Sequence, residues 1–100
     1  MIARLWTGQV PVEKSEEYLL RMRQVALPDY KSVEGNLGAW CLHRRDGDRV
    51  TVAMLTFWRD LRAIRRFAGT PEDVAKYYDF DAQFLLEMPE RVQHFEVVEG

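Results

Sequence analysis

Val50-Thr51-Val52-Ala53-Met54-Leu55-Thr56-Phe57-Trp58 is a run of nine apolar or near-apolar residues, largely β-branched or aromatic. Such a run reads as a strand. Alternation puts Val50, Val52, Met54 and Trp58 on one face and Ala53, Leu55 and Phe57 on the other. A strand that is apolar on both faces needs cover on both. A chain of 100 residues is too short to supply two layers of cover. A partner chain is therefore expected to supply the second, and an oligomer is implied.

On the N-terminal side of this run, Gly38 to about Arg45 reads as the strand that pairs with it. The hairpin between them closes at Asp46-Gly47-Asp48. Gly35-Asn36-Leu37-Gly38 is a turn signal ahead of that strand. At the start of the chain, Ile2 to Val10 reads as a strand ending at Pro11, with Ile2, Arg4, Trp6 and Gly8 on one face. From about Glu13 the period changes. Tyr18, Leu19, Met22 and Val25 form one stripe of an amphipathic helix, which Pro28 is expected to end or kink. After the run, Asp60 suits the N-cap of a second helix with Leu61, Ile64, Phe67 and Ala68 on its buried stripe, and Gly69 stops it. Thr70-Pro71-Glu72-Asp73 reads as the start of a further short helix, interrupted at Tyr77-Tyr78-Asp79-Phe80-Asp81, with one more helical turn at Ala82 to Leu86. Arg91 to Val98 completes the pattern as a last strand.

The order β-α-β-β-α-β, with right-handed crossovers, specifies an α+β, ferredoxin-like fold. It has a four-stranded antiparallel sheet with its helices on one face, in a single domain spanning residues 1–100. The bare face of the sheet calls for a second copy, so a homodimer is expected.

Composition narrows the function. The net charge of -2, with acids and bases interspersed, gives no electrostatic case for nucleic acid or an anionic membrane. No apolar run approaches transmembrane length, the N-terminus lacks signal-peptide regions, and the single Cys41 fits a reducing cytoplasm. No His/Cys/Asp cluster has metal-ligand spacing, and there is no phosphate loop or nucleophile elbow, so neither a metal nor another cofactor is expected. Arg59, Arg62, Arg65 and Arg66 read as a solvated helix face, and Asp79 and Asp81 as caps.

Aromatic richness stands out: Trp6, Trp40, Trp58, Tyr77 and Tyr78 are many large rings for a chain of this size. They read as core and interface, or as the walls of an apolar pocket for a small aromatic ligand. Trp6 suits a pocket best, because Gly8 leaves room beside it. Tyr77 and Tyr78, at a break between helical pieces, point into a cleft or bond a helix end. Asn36 bonds its own turn or reaches the pocket mouth. His94 reads as a general base, or as a satisfied, partly buried side chain.

Several segments together resemble the antibiotic biosynthesis monooxygenase family over nearly the whole chain. They are Ile2-Ala3-Arg4-Leu5-Trp6, Gly35-Asn36-Leu37-Gly38, Leu55-Thr56-Phe57-Trp58 and Ala63-Ile64-Arg65-Arg66-Phe67-Ala68-Gly69, followed by Tyr77-Tyr78, Phe84-Leu85-Leu86 and His94-Phe95-Glu96-Val97. The resemblance implies a dimeric α+β barrel with one pocket per subunit, between the sheet and its own helices. It also implies a cofactor-independent monooxygenase that oxidises a small aromatic or polyketide-like substrate with O₂. On that basis Trp6, Trp58 and Phe67 form apolar walls. Tyr77, or its neighbour Tyr78, and Asn36 bond substrate oxygens, and His94 is the base. The haem-degrading branch of the superfamily carries Asn, Trp and His where this chain has Trp6, Phe67 and the Tyr77-Tyr78 pair, so haem degradation is not expected. The same fold also hosts non-catalytic binding or regulatory dimers and oxygen-independent isomerases or lyases, and these stay as alternatives.

Overall fold

The computed structural model describes residues 1–100. Strand β1 (Ile2–Pro11) leads into helix α1 (Val12–Arg21), a π-helical turn at Met22–Ala26 and helix α2 (Leu27–Ser32). Strands β2 (Asn36–Asp46) and β3 (Arg49–Trp58) form a hairpin, helix α3 (Leu61–Ala68) follows, and β4 (Gln93–Glu96) closes the sheet. The sheet order is β2-β3-β1-β4, with every pair antiparallel. This is the ferredoxin-like arrangement expected from the order of elements.

The nine-residue run lies at the centre of the sheet. β3 pairs with β1 from Ile2 opposite Trp58 to Pro11 opposite Arg49, and with β2 on its other side. Its even-numbered residues, Val50, Val52, Met54, Thr56 and Trp58, are buried beneath the helices. They meet Ile2, Arg4, Trp6 and Val10 of β1 and the helix residues Tyr18, Met22, Ala26 and Tyr30. The opposite face carries Leu5, Ala53, Leu55 and Phe57, all half-buried, and Trp40 and Phe95, which are 53% and 52% exposed. No helix of the chain lies over this apolar face. No helix is long and apolar enough to cross a membrane.

Helix α3 begins as expected: the Asp60 carboxylate accepts from the Ala63 N–H at 2.9 Å, and Gly69 at φ 84° ends the helix. Four local expectations are corrected. Pro28 does not end the helical run, which is interrupted by the π-helical turn just before it, resumes as α2 and runs to Ser32. The Leu27 N–H reaches back to the Met22 carbonyl, a wider π-type turn, and the wider turn gives the proline ring room against the carbonyl four residues back. Residues 70–73 do not restart a helix. Val74 bridges Arg91, the Ala75 N–H donates to Glu90 O and the Val92 N–H donates to Asp73 O, so the local backbone groups are spent on a small ladder. The same ladder takes up Arg91 and Val92, which shortens the last strand to Gln93–Glu96. Ala82 to Leu86 carries only a 3₁₀ turn at Asp81–Gln83.

Candidate functional site

A cavity of about 10 Å³ lies between the inner face of the sheet, helices α1 and α2 and the segment after α3. That is room for roughly one water. Its walls include Trp6 and Met54 from the sheet, Tyr18, Met22, Ala26 and Tyr30 from the helices, and Lys76, Tyr77, Tyr78 and Asp81 from the returning segment. The π-helical turn supplies Met22 and Ala26, so the widened turn forms part of the wall.

Gly8 makes the Trp6 position workable. An added Cβ there would come within 2.6 Å of the Trp6 ring, so the indole lies over the glycine on the same strand face. Trp6 Nε1 donates to the Tyr77 hydroxyl at 3.3 Å, and that hydroxyl donates to the Pro89 carbonyl. The two rings meet edge to face, with centroids 6.2 Å apart. Trp6 and Tyr77 thus hold each other, and Tyr77 ties the segment around residue 77 to the one around residue 89.

Two carboxylates organise the other side. Asp81 is buried; its Oδ1 accepts from the Tyr18 hydroxyl at 2.8 Å and its Oδ2 from the Tyr78 N–H at 2.6 Å. Burial raises its pKa above the ordinary value, and those two bonds pull the other way. Asp29 sits on α2, near the surface. Its Oδ2 accepts from Lys76 Nζ at 2.8 Å and from the Tyr78 hydroxyl at 2.7 Å. Burial alone would raise Asp29, but those bonds outweigh it and hold the carboxyl below its usual range. Burial is also the main reason the Tyr18 and Tyr78 phenols are pushed up, with Asp81 and Asp29 adding to it, so both stay protonated donors.

Next to the cavity, Tyr30, Trp58 and Phe67 form an aromatic cluster. Tyr30 stacks on Phe67 with centroids 4.2 Å apart, and Trp58 lies 5.6 Å from Phe67. Two cations rest on the Phe67 ring: the Arg4 guanidinium at 5.3 Å and Lys76 Nζ at 4.5 Å from its centroid. Arg4 is 1% exposed. Its Nη2 donates to the Val74 carbonyl at 3.0 Å, its Nε has no partner, and no carboxylate pairs with it. Burial lowers its pKa, and neighbouring Tyr30 opposes that. The Tyr30 phenol is pushed up to about 12 by burial, with Arg4 working against the rise.

The residues singled out from sequence divide into three groups. Trp6, Tyr77 and Tyr78 line the cavity together. Trp58 and Phe67 stand behind its wall in the aromatic cluster. Asn36 and His94 lie elsewhere. The Asn36 carboxamide bonds Gly38 on both sides, accepting from its N–H at 3.1 Å and donating to its carbonyl at 3.4 Å, as a turn residue does. His94 faces Arg4 across the β1–β4 pair, with its Nε2 buried and unpartnered. Burial, with the Arg4 charge adding, lowers its pKa. Arg4, Asp29, Tyr30 and Lys76 were not singled out. Only Arg4 carried a signal, as a charge at an inward position of an otherwise apolar strand face.

No three His, Cys, Asp or Glu side chains converge. The cavity also does not suit an iron porphyrin: no His or Cys lines it, and Lys76 and Tyr78 are both committed to Asp29.

A scan of the sequence against family models finds no match, and neither does a comparison with curated proteins. Solved structures do match. A protein from Nitrosomonas europaea, provisionally described as an antibiotic biosynthesis monooxygenase, superposes with a TM-score of 0.75 at 15% identity, over 99% of this chain and 100% of that one. A point variant of MhuD holding two manganese protoporphyrin IX molecules per active site matches at TM-score 0.66 and 20% identity, over 100% of this chain and 97% of that one. Rv0793 from Mycobacterium tuberculosis matches at TM-score 0.61 and 17% identity, over 99% and 96%. The chain therefore has the α+β ferredoxin-like fold of antibiotic biosynthesis monooxygenase-type proteins, which agrees with the resemblance read from its segments.

Proposed function

We propose that this chain belongs to the antibiotic biosynthesis monooxygenase family. In this reading two copies pair through their bare sheet faces, and the cavity under Tyr77 and Tyr78 takes a small, flat aromatic or polyketide-like molecule and oxidises it with O₂ without a cofactor. The observation that carries the reading is the cavity itself, walled by Trp6, Tyr18, Tyr30, Tyr77 and Tyr78, with their polar tips and Lys76 at its edge. Apolar walls with a few placed polar groups are the general design of a small-molecule site. A fold neighbour that holds a flat aromatic macrocycle in its active site supports the same use of the fold.

In this chemistry the substrate's own carbanion reduces oxygen. A ring CH₂ and O₂ give a ring C=O and water, so the four electrons come from the substrate carbon. The protein has to exclude water, take one proton and stabilise the anion. Tyr77 and Tyr78 donate to a substrate oxygen in this reading, giving up their present bonds to the Pro89 carbonyl and Asp29. Asp81 is the carboxylate at the cavity, and burial makes it a stronger base than an exposed aspartate. His94, the base expected from sequence, would need to move to reach a ligand there.

Oxygen uptake by the purified, metal-free protein with anthrone- and quinol-type substrates tests this. Uptake above the uncatalysed rate, lowered roughly 10- to 1000-fold in Tyr77→Phe, is the expected result. Comparing Asp81→Asn with His94→Ala then identifies the base. A second reading, a ligand-binding or regulatory dimer without chemistry, is favoured by a cavity that its own side chains fill down to about 10 Å³. Saturable binding of aromatic ligands with no uptake would establish it.

A further inference from the structure

Inside the site, the carboxylates match the cations in number, but Arg4 has no carboxylate partner. Two cations, Arg4 and Lys76, share the Phe67 ring, and Asp29 pairs with Lys76 alone. Arg4 is buried with its Nε unpartnered, one side chain back from the cavity, beyond Tyr30. An unpaired buried cation costs several kcal/mol and makes its surroundings favourable for an anion. Asp81 makes no bond to Arg4; its oxygens accept from the Tyr18 hydroxyl and the Tyr78 N–H. At the cavity edge, two donors converge on a single oxygen: Lys76 Nζ and the Tyr78 hydroxyl reach Asp29 Oδ2 at 2.8 and 2.7 Å. Lys76 and Tyr78 line the cavity, whereas Asp29 approaches from outside on α2, with its side chain 32% exposed.

We propose that Lys76 Nζ and the Tyr78 hydroxyl form a subsite for the anionic oxygen of the ligand, a carboxylate, phenolate or enolate, and that Asp29 is an internal stand-in which the ligand displaces. The proposal rests on the cavity being a ligand site and names the chemical class of what enters it. Without ligand, Asp29 holds Lys76 and Tyr78 at the cavity edge. An incoming anion takes over both bonds and releases Asp29 to water. Arg4 adds its field behind Tyr30, so the subsite discriminates by charge.

The test compares two flat probes of one shape, 2-naphthoate and the neutral 2-naphthamide, by calorimetric titration. The wild-type protein, Asp29→Asn and Lys76→Met are compared. Both positions are near the surface, so neither variant threatens the core. Asp29→Asn keeps the shape and removes the competing charge. It is expected to tighten 2-naphthoate binding about 10-fold, the equivalent of one well-placed charge-assisted bond, and to leave 2-naphthamide within about twofold. Lys76→Met is expected to weaken 2-naphthoate by a similar factor while sparing the amide. A purely structural role for Asp29 predicts weaker or unchanged binding of both probes. If the amide binds but Asp29→Asn does not favour the carboxylate, the anion subsite is overturned and the pocket reading stands. If neither probe binds any of the three proteins, both are overturned.

Discussion

Replacing Gly8 by Ala tests how the Trp6 side of the cavity is built. The backbone at Gly8 is not in the left-handed region, so alanine meets no conformational penalty there. Replacing glycine inside a strand should even help, by about 0.5–1 kcal/mol. The obstacle is space. The added Cβ would sit 2.6 Å from Trp6 Cη2, 2.7 Å from Cζ2 and 3.0 Å from Leu85 Cδ2. Ordinary carbon contacts lie at about 3.5–4.0 Å, so the indole must shift by about 1 Å. Leu85 can rotate away. Trp6 cannot do so freely, because it is buried and its Nε1 is bonded to Tyr77. Overpacking of this kind costs about 1–3 kcal/mol, which outweighs the glycine gain and leaves a net loss near 1 kcal/mol. Thermal unfolding at fixed protein concentration should show Tm lower by about 4–8 °C. The decisive comparison is the same substitution in a Trp6→Leu background. With the ring gone, Gly8→Ala should become neutral or stabilising, so the two positions couple strongly. An equal cost in both backgrounds would refute the close approach of ring and glycine.

Three further outcomes follow from the packing. Tyr18→Phe removes a donor from buried Asp81 and should cost about 1–3 kcal/mol in urea unfolding, with a further rise in the Asp81 pKa measurable by carboxylate NMR. His94 has a folded pKa below its unfolded one. Its contribution is therefore fully present above about pH 6.5 and lost as pH falls through the folded value. Urea midpoints from pH 8 to 5 should decline towards acid, and His94→Gln should flatten that decline; an unchanged slope would count against the burial of His94. Trp40→Glu places a charge on the bare sheet face and, with two copies paired as proposed, should weaken self-association by roughly tenfold or more in sedimentation. No change would move the dimer contact elsewhere.

Much of the fold was legible because it rests on period. The two-sided β3 run, the shift from period two to 3.6 after Pro11, and the Asp60 cap each state a local preference that the tertiary structure keeps. Pro28 marks an interruption rather than an end, because the π-helical turn before it accommodates the ring. Residues 70–73 misled because their start signal is local, whereas their backbone partners, residues 90–92, lie far along the chain. The candidate site divides in the same way. Large rings such as Trp6 and Tyr77 announce themselves by size. The charges that organise the site do not, because Asp29 and Lys76 are 47 residues apart and an isolated lysine or aspartate is common on any surface. Arg4 could be placed on the inward face. Its lack of a carboxylate partner emerges only when every neighbour is in position.

The three tryptophans occupy three different surroundings, and this gives the protein a set of built-in optical reporters. Trp58 is 0% exposed, donates to Thr56 Oγ1 at 2.8 Å and packs on Phe67; its emission should stay blue until the chain unfolds. Trp40 is half in water on the bare sheet face, so its emission and its quenching by iodide should follow protein concentration rather than denaturant. Trp6, edge-on to Tyr77 at the cavity, should respond to an occupant while the chain stays folded. With single-tryptophan variants, unfolding, self-association and ligand entry can each be followed in one cuvette, without an external dye.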